Sequence, residues 1–512
     1  MITLALPVPR EAATPLELER LTALSDRLAP DYLEFYGLCP LDRDGDRIRV
    51  ATWREDVDPQ AVDDLRLELG AEIELVRGPE DELRDAIRRA YGGEPVTARG
   101  LIAGLGSGSA EGGGEAEIPL DDLVHLANEA PVVKLVHLLL LEALETRASD
   151  VHLEGYATEL RVRYRVDGVL QDAPTPPVDL KAAIVSRLKI MADLDIAERR
   201  VPQDGRIRLK LQDRQVDVRV STVPTLHGES VVLRLLDKER GRIALEDLGM
   251  AEDTLRVFSE AIARPHGIVL ATGPTGSGKT TTLYAAVDRI RTGREKILTV
   301  EDPVEYELPG VAQVPVNEKV GVTFATALRA LLRQDPDVML VGEIRDEETA
   351  EIATHAALTG HLVLSTLHTN DAASALTRLM DLAVAPYLVA STVEAVLAQR
   401  LVRCVCSRCT GEARPDRAML EGFDVRPDEL PVVHRGAGCA ACRGTGFRGR
   451  VGIYELLAAD DPIRTELLQR RGAGELRRLA VEQGMRTLRD DGLRLVRAGL
   501  TTPEEVLRAT RG

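Results

Sequence analysis

Aromatic residues are scarce in this 512-residue chain: five Phe, nine Tyr and one Trp make up 3% of it. The buried cores must therefore be built mainly from Leu, Val, Ile and Ala, and a hydrophobic content of 44% is enough for several domains. Long apolar runs are also missing. The most apolar segment, residues 132–144, contains three polar side chains and is shorter than the roughly 18 apolar residues of a membrane span. We therefore expect no transmembrane helix.

Positive charge is in deficit, because the formal net charge is −18. A nucleic-acid-binding face needs clustered Lys and Arg, so this balance argues against a nucleic-acid partner. The first residues, Met1-Ile-Thr-Leu-Ala-Leu-Pro7, lack the cationic start of a secretory signal. These absences together predict a cytoplasmic protein that reaches a membrane only through partners.

The most specific motif is Gly273-Pro-Thr-Gly-Ser-Gly-Lys-Thr280, which follows the apolar run at residues 267–272. It matches G-x-x-x-x-G-K-[ST] in the strand–loop–helix setting that a phosphate loop requires. In such a loop the backbone N–H groups and the helix N-terminus face the phosphates. We expect an ATP site in which Lys279 reaches the terminal phosphates and Thr280 ligates Mg²⁺. The predicted nucleotide-binding residues are Gly273, Pro274, Thr275, Gly276, Ser277, Gly278, Lys279 and Thr280.

Two later strands end in carboxylates. One strand, near residue 300, is followed by Glu301, Asp302 and Glu305, and another near residue 340 delivers Glu343. In open α/β sheets the ligand binds beyond the carboxyl ends of the strands. We therefore expect these acids to hold Mg²⁺ or to orient water near the γ-phosphate. Their presence favours a hydrolase over a nucleotide-dependent scaffold that does not hydrolyse.

A third apolar strand in the same region begins at His361 and ends at His368. One histidine at such a place is usually structural. Two of them, at the two ends of one strand, predict a pair that senses the γ-phosphate and transmits its loss.

Upstream of the loop, four strand-like runs alternate apolar and basic residues. They cover residues 160–166, 207–211, 216–220 and 231–236. The alternation predicts a half-exposed sheet with one charged face. Taken by itself, alternation favours a solvated face over a face whose arginines reach a nucleotide.

Five of the six cysteines lie between residues 404 and 442. Cys406-x-x-Cys409 and Cys439-x-x-Cys442, with 29 residues between the pairs, predict four thiolates around one Zn²⁺. Disulfides are disfavoured in a reducing cytoplasm, and an iron–sulfur cluster is the open alternative. Four thiolates leave no free coordination position, so we expect a structural metal. The role of Cys404 stays open.

Several stretches together resemble the secretion ATPase superfamily that drives type II secretion and type IV pilus assembly. They are residues 202–206, the phosphate loop, and residues 301–305, 332–338, 342–346, 359–363 and 366–370. The resemblance covers residues 118–512. It implies that Glu343 orients or activates the attacking water and that a homohexamer clasps the nucleotide between two domains.

The resemblance also brings two arginines into the site, at positions that match those which compensate phosphate charge. The catalytic set that follows is Glu343, Lys279, Glu301, Asp302, Glu305, His361, His368, Arg206 and Arg219, with Arg329 and Arg333 as weaker candidates.

The expected fold is α/β: a RecA-like P-loop motor preceded by a PAS-like α+β domain and a small N-terminal adaptor domain, with a zinc-binding insertion. The expected organisation is an adaptor domain over 1–91, a flexible Gly-rich linker over 92–117, the PAS-like domain over 118–242, the ATPase domain over 243–395, a tetracysteine subdomain over 396–450 and a helical subdomain over 451–512.

Within the superfamily that the chain resembles, pilus-retraction ATPases generally lack such a cysteine insertion, so the resemblance implies an export or assembly ATPase. We therefore expect a type II secretion ATPase that couples hydrolysis to pseudopilus assembly and to export of folded proteins from the periplasm. Its expected partners are an inner-membrane adaptor, bound through the N-terminal domain, and a polytopic inner-membrane platform protein. A type IV pilus assembly ATPase is the alternative, and a zinc-ribbon nucleic-acid translocase is a distant one.

Overall fold

The structure of the chain is a computed structural model. The structure describes residues 6–7, 21, 24, 28, 30–54, 56–91, 98–105, 130–211, 214–237 and 242–511. Two compact units divide the chain. The first comprises Met1–Ala116 with Val133–Glu142, and the second comprises Glu117–Val132 with Ala143–Gly512.

A three-stranded sheet with helices forms the first unit. Its elements are β1 (Leu6–Pro7), α1 (Pro30–Tyr36), β2 (Leu38–Asp44), β3 (Arg47–Thr52), β4 (Asp56–Val57), α2 (Pro59–Leu69), β5 (Glu72–Arg77), α3 (Glu80–Ala90) and α4 (Ala98–Leu105). β3 pairs with β2 in antiparallel and with β5 in parallel orientation. Asp58 caps α2 by accepting the backbone N–H of Gln60, and Pro59 is tolerated in the first turn.

An antiparallel sheet of six strands follows the helix α5 (Ala130–Glu145). Its elements are β6 (Ala148–Gly155), β7 (Leu160–Val166), β8 (Val169–Asp172), α6 (Lys181–Met191), β9 (Gln203–Leu211), β10 (Arg214–Thr225) and β11 (Gly228–Asp237). The strand order is β8-β7-β6-β11-β10-β9. Along β10 and β11, Val218, Val220 and Leu233 are buried, whereas Arg219 and Arg234 lie on the opposite face. The predicted half-exposed sheet with one charged face is confirmed.

The motor sheet has seven strands in the order β14-β13-β15-β16-β12-β17-β20. The elements of this region are α7 (Glu252–Ile262), β12 (Gly267–Thr272), α8 (Lys279–Ile290), β13 (Ile297–Glu301), β14 (Ala312–Pro315), α9 (Phe324–Leu331), β15 (Val338–Val341), α10 (Glu347–Leu358), β16 (Leu362–Leu367), α11 (Ala372–Asp381), α12 (Pro386–Thr392), β17 (Val393–Val405) and β20 (Phe447–Ala458). All pairings are parallel except that of β17 with β20.

Both faces of the motor sheet are covered. Ile268 and Leu270 of β12 belong to one apolar core, and the alternate residues Val269 and Ala271 belong to a second core on the other face. This explains why β12 is apolar throughout rather than alternating, as is typical of parallel strands between two helical layers. The predicted α/β class is confirmed.

The remaining elements lie between and after β17 and β20. They are β18 (Thr410–Ala413), α13 (Arg417–Phe423), β19 (Val433–Gly436), α14 (Asp461–Leu468), α15 (Ala473–Glu482), α16 (Leu488–Arg497) and α17 (Pro503–Thr510). β17 runs through the expected domain boundary at residue 395, and β20 runs through the one at 450. The motor sheet thus continues into both neighbouring segments, because their apolar residues complete its edge.

Within the expected linker at 92–117, the structure has the helix α4. Ala98, at its start, is 1% exposed. This stretch contains Leu101 and Ile102, whereas the Gly-rich sequence after it has no large apolar residue. The rest of the linker lies outside the described residues, so its flexibility stays a prediction.

Candidate functional site

The phosphate loop connects β12 to α8. All six residues of β12 are buried, and α8 begins at Lys279. Gly278 stands at the N-cap with a φ of 91°, a left-handed conformation that residues with a side chain rarely adopt. The strand, the turn and the helix start therefore lie where the motif predicts them.

Lys279 folds back onto its own loop. Its ammonium group donates to the carbonyl oxygens of Gly273 at 2.8 Å and Pro274 at 3.1 Å. Burial lowers the pKa of Lys279 to about 8, against the opposing effect of the Glu343 carboxylate. A phosphate oxygen is a stronger acceptor for this ammonium than a carbonyl oxygen. Thr280, the next residue, is exposed at the start of the helix.

Glu343 and His368 meet at the carboxyl ends of neighbouring strands. β15 and β16 pair in parallel, and β16 pairs in turn with β12. The Glu343 carboxylate lies 3.2 Å from Nε2 of His368 and also pairs with the guanidinium of Arg345. The hydroxyl groups of Thr369 and Thr272 are 2.7 Å apart, which joins the segment after His368 to the strand before the phosphate loop.

Glu301 is buried and already has several hydrogen-bond donors. Its carboxylate accepts from the hydroxyl groups of Tyr284 and Thr299, the latter at 2.5 Å, and from the Gln313 amide at 3.1 Å. Tyr284 lies on α8 and Gln313 on β14, so Glu301 connects the helix after the phosphate loop to two strands. Burial raises the pKa of Tyr284, which keeps its hydroxyl protonated as a donor. This set of contacts suits an orienting role for Glu301.

Three arginines lie side by side on the charged face of the antiparallel sheet. Arg206, Arg219 and Arg234 are directly opposite one another on β9, β10 and β11; we call them the arginine row. Nη2 of Arg219 is 3.7 Å from the carboxylate of Glu305, and Arg234 pairs with Asp150 at 3.0 Å.

Burial lowers the pKa of Arg219, and the charges of Arg206 and Arg234 lower it further, whereas Glu305 and Asp302 raise it. Like charges directly opposite each other destabilise a sheet. An anion in front of the arginine row would remove that repulsion, so the row has the charge and placement to accept phosphate oxygens.

The two histidines flank one strand, as the sequence predicts. His368 follows β16 and His361 precedes it, so the two lie at opposite ends of a six-residue strand. Such a strand spans roughly 20 Å. Nδ1 of His361 instead lies 2.9 Å from the carbonyl oxygen of Ala356 at the end of α10. The sensing of the γ-phosphate by these two histidines stays a prediction.

The weaker arginine candidates have other partners. Arg329, on α9, pairs with Glu348 on α10, and Arg333 donates to the carbonyl oxygen of Arg329 at 2.9 Å. Both contacts hold these side chains on the outside of the helices.

The sequence alone did not point to Tyr284, Gln313 or Arg234. Their positions near the site depend on strand register and on contacts between residues far apart in sequence. For Arg234 the sequence offered one signal, because the short turn between β10 and β11 predicts that these strands pair and that Arg234 lies beside Arg219.

Four cysteines come together in a second place, which we call the cysteine cluster. Potential ligand atoms of Cys406, Cys409, Cys439 and Cys442 all lie within 4.8 Å of one another. The Sγ–Sγ distances are 3.9 Å for Cys406–Cys439, 3.8 Å for Cys409–Cys442 and 3.7 Å for Cys439–Cys442. A tetrahedron with Zn–S bonds of about 2.3 Å requires sulfur atoms about 3.8 Å apart. The residues present therefore fit a tetrathiolate zinc site.

Local backbone geometry supports the cysteine cluster. The N–H groups of Cys439 and Gly446 point at Sγ of Cys442, at 3.1 and 3.2 Å. Although burial raises it, these donors lower the pKa of the Cys442 thiol to about 6. Cys404 stands outside the cluster, and burial raises the pKa of its thiol.

In the part of the chain that the structure describes, no helix is both long enough and apolar enough to cross a membrane. Residues 125–508 match the family described as type II/IV secretion system protein, and residues 4–97 match the MshEN domain.

Curated relatives agree with these matches. The HxcR type II secretion system protein of Pseudomonas aeruginosa is 51% identical over 86% of this chain and 90% of its own length. Type II secretion system protein E of Xanthomonas campestris is 48% identical over 94% and 84%. The type IV pilus assembly ATPase PilB of Myxococcus xanthus is 45% identical over 94% and 86%.

Among solved structures, the pilus retraction motor PilT with bound ADP is similar, with a TM-score of 0.50 and 27% identity over 73% of this chain and 96% of PilT. The phosphate loop, the acid that follows β15 and the family matches all agree. The chain belongs to the type II/IV secretion system protein family and is an ATPase of the type II secretion class.

Proposed function

We propose that this ATPase works as a homohexamer and binds ATP with Mg²⁺ between the motor sheet and the arginine row. The supporting observation is that the candidate site residues lie at one edge of the motor sheet. We call this edge, formed by the carboxyl ends of β12, β13, β15 and β16, the loop edge. The phosphate loop, Glu343 with His368, and the acids after β13 all belong to the loop edge. The contact of Arg219 with Glu305 brings the arginine row beside it.

Each group at the loop edge has a chemical task in this proposal. Lys279 exchanges its carbonyl partners for the terminal phosphates, and the Thr280 hydroxyl ligates Mg²⁺. Glu343 accepts a proton from the attacking water, and His368 holds that carboxylate in place. Asp302 and Glu305 support the metal from the neighbouring strand end. Glu301 keeps this segment in register with α8 through Tyr284.

The arginine row completes the charge balance. Phosphoryl transfer spreads negative charge over the transferred group, and arginines supplied from another domain or subunit stabilise it. Arg206, Arg219 and Arg234 are placed on one sheet face for that task. We infer that this row, which lies beside the loop edge of its own chain through the Arg219–Glu305 contact, faces the bound nucleotide.

The cysteine cluster is proposed to hold a structural Zn²⁺. Its four thiolates fill a tetrahedron and leave no position for a substrate or water. The metal would fix the β18–β19 segment against the end of β17, and it takes no part in hydrolysis.

Hydrolysis is proposed to drive pseudopilus assembly and thereby the export of folded proteins from the periplasm. The motor would work in the cytoplasm, peripherally at the inner membrane. The MshEN-matched N-terminal region would dock on an inner-membrane adaptor, and the motor would act on a polytopic platform protein. The net charge of −18 argues against DNA or RNA as a partner, so neither should stimulate ATP hydrolysis.

The test is complementation in the chain's own host. A strain that lacks the gene receives either the wild-type chain or Lys279→Ala, and exoenzymes are measured in the medium and in the periplasm. We expect wild type to restore exoenzymes to the medium and Lys279→Ala to leave them in the periplasm. Normal secretion in the deletion strain would overturn the proposal.

A second candidate, assembly of type IV pili, is favoured by one observation, the 45% identity to PilB. The same strains distinguish the two functions. Loss of surface pili with unchanged exoenzyme release would establish the pilus function instead.

A further inference from the structure

The strand β17 continues past the end of its parallel neighbour β12 and passes directly under the phosphate loop. The last residue pair of the two strands is Thr272 with Ala398. Beyond it, β12 turns into the loop, while β17 goes on through Gln399 and Arg400. The backbone of the loop and that of β17 therefore lie against each other.

Gly273 shows how close this approach is. A Cβ atom at Gly273 would lie 2.5 Å from the carbonyl oxygen of Gln399 and 2.7 Å from Oγ of Ser277. Its φ of 148° is also a conformation that favours glycine. No side chain fits between the loop and β17 at this point.

Gln399 makes the hydrogen bond that fixes the far side of the loop. Its side-chain amide donates to the carbonyl oxygen of Ser277 at 2.7 Å, and the residue is 1% exposed. The same amide nitrogen would be 3.0 Å from a Cβ at Gly278. Gln399 thus lies beneath the Ser277–Gly278 peptide, immediately before the first residue of α8.

The direction of this hydrogen bond matters because a peptide unit is planar and trans. The carbonyl oxygen of Ser277 and the N–H of Gly278 belong to one peptide and point in opposite directions. When Gln399 draws the carbonyl oxygen toward β17, the N–H of Gly278 turns to the other side of the loop. That side is the one on which a phosphate is bound in a loop of this type.

The oxygen atom of the Gln399 side-chain amide is not satisfied in this arrangement. Its Oε1 atom is buried and has no hydrogen-bond partner within the described residues, and the same holds for Oγ of Ser277. Buried polar atoms without partners are rare because they are costly. The Gln399 side chain therefore keeps its Nε2 donor on the Ser277 carbonyl although its own Oε1 acceptor has no partner within the described residues.

We propose that Gln399 is a positioning residue for ATP binding: its buried amide holds the Ser277–Gly278 peptide with the Gly278 N–H turned toward the phosphates. The inference rests on ATP binding by the phosphate loop. It adds a residue 119 positions beyond Thr280, on a different strand, to the machinery that shapes the loop.

The test compares Gln399→Met and Gln399→Glu with the wild-type full-length chain. Met keeps the length of the side chain without a donor, and Glu places an acceptor against the Ser277 carbonyl. We expect the Kd for ADP and the KM for ATP to rise about 10-fold in Gln399→Met and more in Gln399→Glu, since a hydrogen bond to a charged phosphate is lost. The kcat per bound nucleotide should fall less than KM rises.

Val402→Ala is the matched control, because Val402 is buried on the same strand away from the loop. It should lower the melting temperature and leave KM unchanged. A Gln399→Met chain with a lower melting temperature and a wild-type Kd for ADP would overturn the inference. Absence of nucleotide binding in the wild type itself would instead refute the proposed function, so the two failures are distinguishable.

Discussion

The loop edge and the cysteine cluster are assembled by the same half of the chain, yet they are built in different ways. The loop edge draws its groups from several strand ends that are far apart in sequence, and these groups contact one another: Glu343 with His368, and Lys279 with its own loop. The cysteine cluster draws four identical ligands from two short turns.

In the proposed function, this difference separates a site that exchanges its ligand from a site that retains a metal ion. The acids, bases and cations of the loop edge have partners within the protein that the proposed nucleotide would replace, as with Lys279 and the carbonyl oxygens of its own loop. Four sulfur atoms at tetrahedral spacing have no alternative partner of similar strength once zinc is bound. Changes at the cysteine cluster should therefore affect stability, and changes at the loop edge should affect turnover.

The largest expected effect is on metal content and stability. Cys439→Ser should reduce bound zinc from about one per chain to nearly none and destabilise the surrounding segment by several kcal/mol. Elemental analysis and thermal unfolding measure both quantities. Cys404→Ser is the control, since Cys404 lies outside the cluster, and it should retain the zinc. Normal zinc content in Cys439→Ser would show that another ligand set holds the metal.

The arginine row provides the next largest effect, on turnover alone. Arg219→Gln should lower kcat about 100-fold or more at unchanged melting temperature, because the charge that develops in phosphoryl transfer loses a partner. Arg161→Gln, an exposed arginine of β7 that pairs with Glu159 at 3.5 Å, should leave kcat unchanged. Equal kcat values for the two variants would show that the arginine row is a solvated sheet face without a part in hydrolysis.

A smaller effect is expected where the C-terminal helix meets β17. Burial raises the pKa of Glu505, but Arg403 and Arg508 outweigh it and lower the pKa to about 2 from the 4.5 of a free side chain. Because the folded pKa is depressed, this stabilisation is present above pH 4.5 and disappears as the pH falls toward 2. Glu505→Gln should therefore cost about 2 to 3 kcal/mol of unfolding free energy at pH 7 and little near pH 2.

Denaturant titrations at both pH values measure this cost. Glu504→Gln is the control, since Glu504 is 46% exposed in its pair with Arg435 and should contribute less than about 1 kcal/mol. A pH-independent loss in Glu505→Gln would mean that shape rather than charge stabilises α17. In either case ATP hydrolysis at pH 7 should be unaffected, because the ion-pair partners of Glu505 are Arg403 and Arg508, which do not belong to the loop edge.

Contiguous features of this molecule could be predicted from the sequence. The phosphate loop between β12 and α8, the acid that follows β15 and the two cysteine turns are each encoded within about ten residues. In these places the local pattern and the fold agree. The charged face of the antiparallel sheet was also predictable, because alternation over a strand directly gives its two faces.

Features that depend on strand order or register were not predictable in the same way. The contact of Gln399 with Ser277 joins residues 122 positions apart. β17 and β20 crossed the expected boundaries because their roles in the motor sheet come from pairing, not from composition.

The most direct test of the account is the comparison of nucleotide binding and hydrolysis in Glu343→Gln. Gln keeps the size of the side chain but cannot accept the proton of the attacking water. The account predicts a Kd for ATP within a few fold of wild type and a kcat lower by about 1000-fold. Glu347→Gln, an exposed position at the start of α10, should match wild type in both. Turnover close to wild type in Glu343→Gln would contradict the assignment of Glu343 as the residue that activates water.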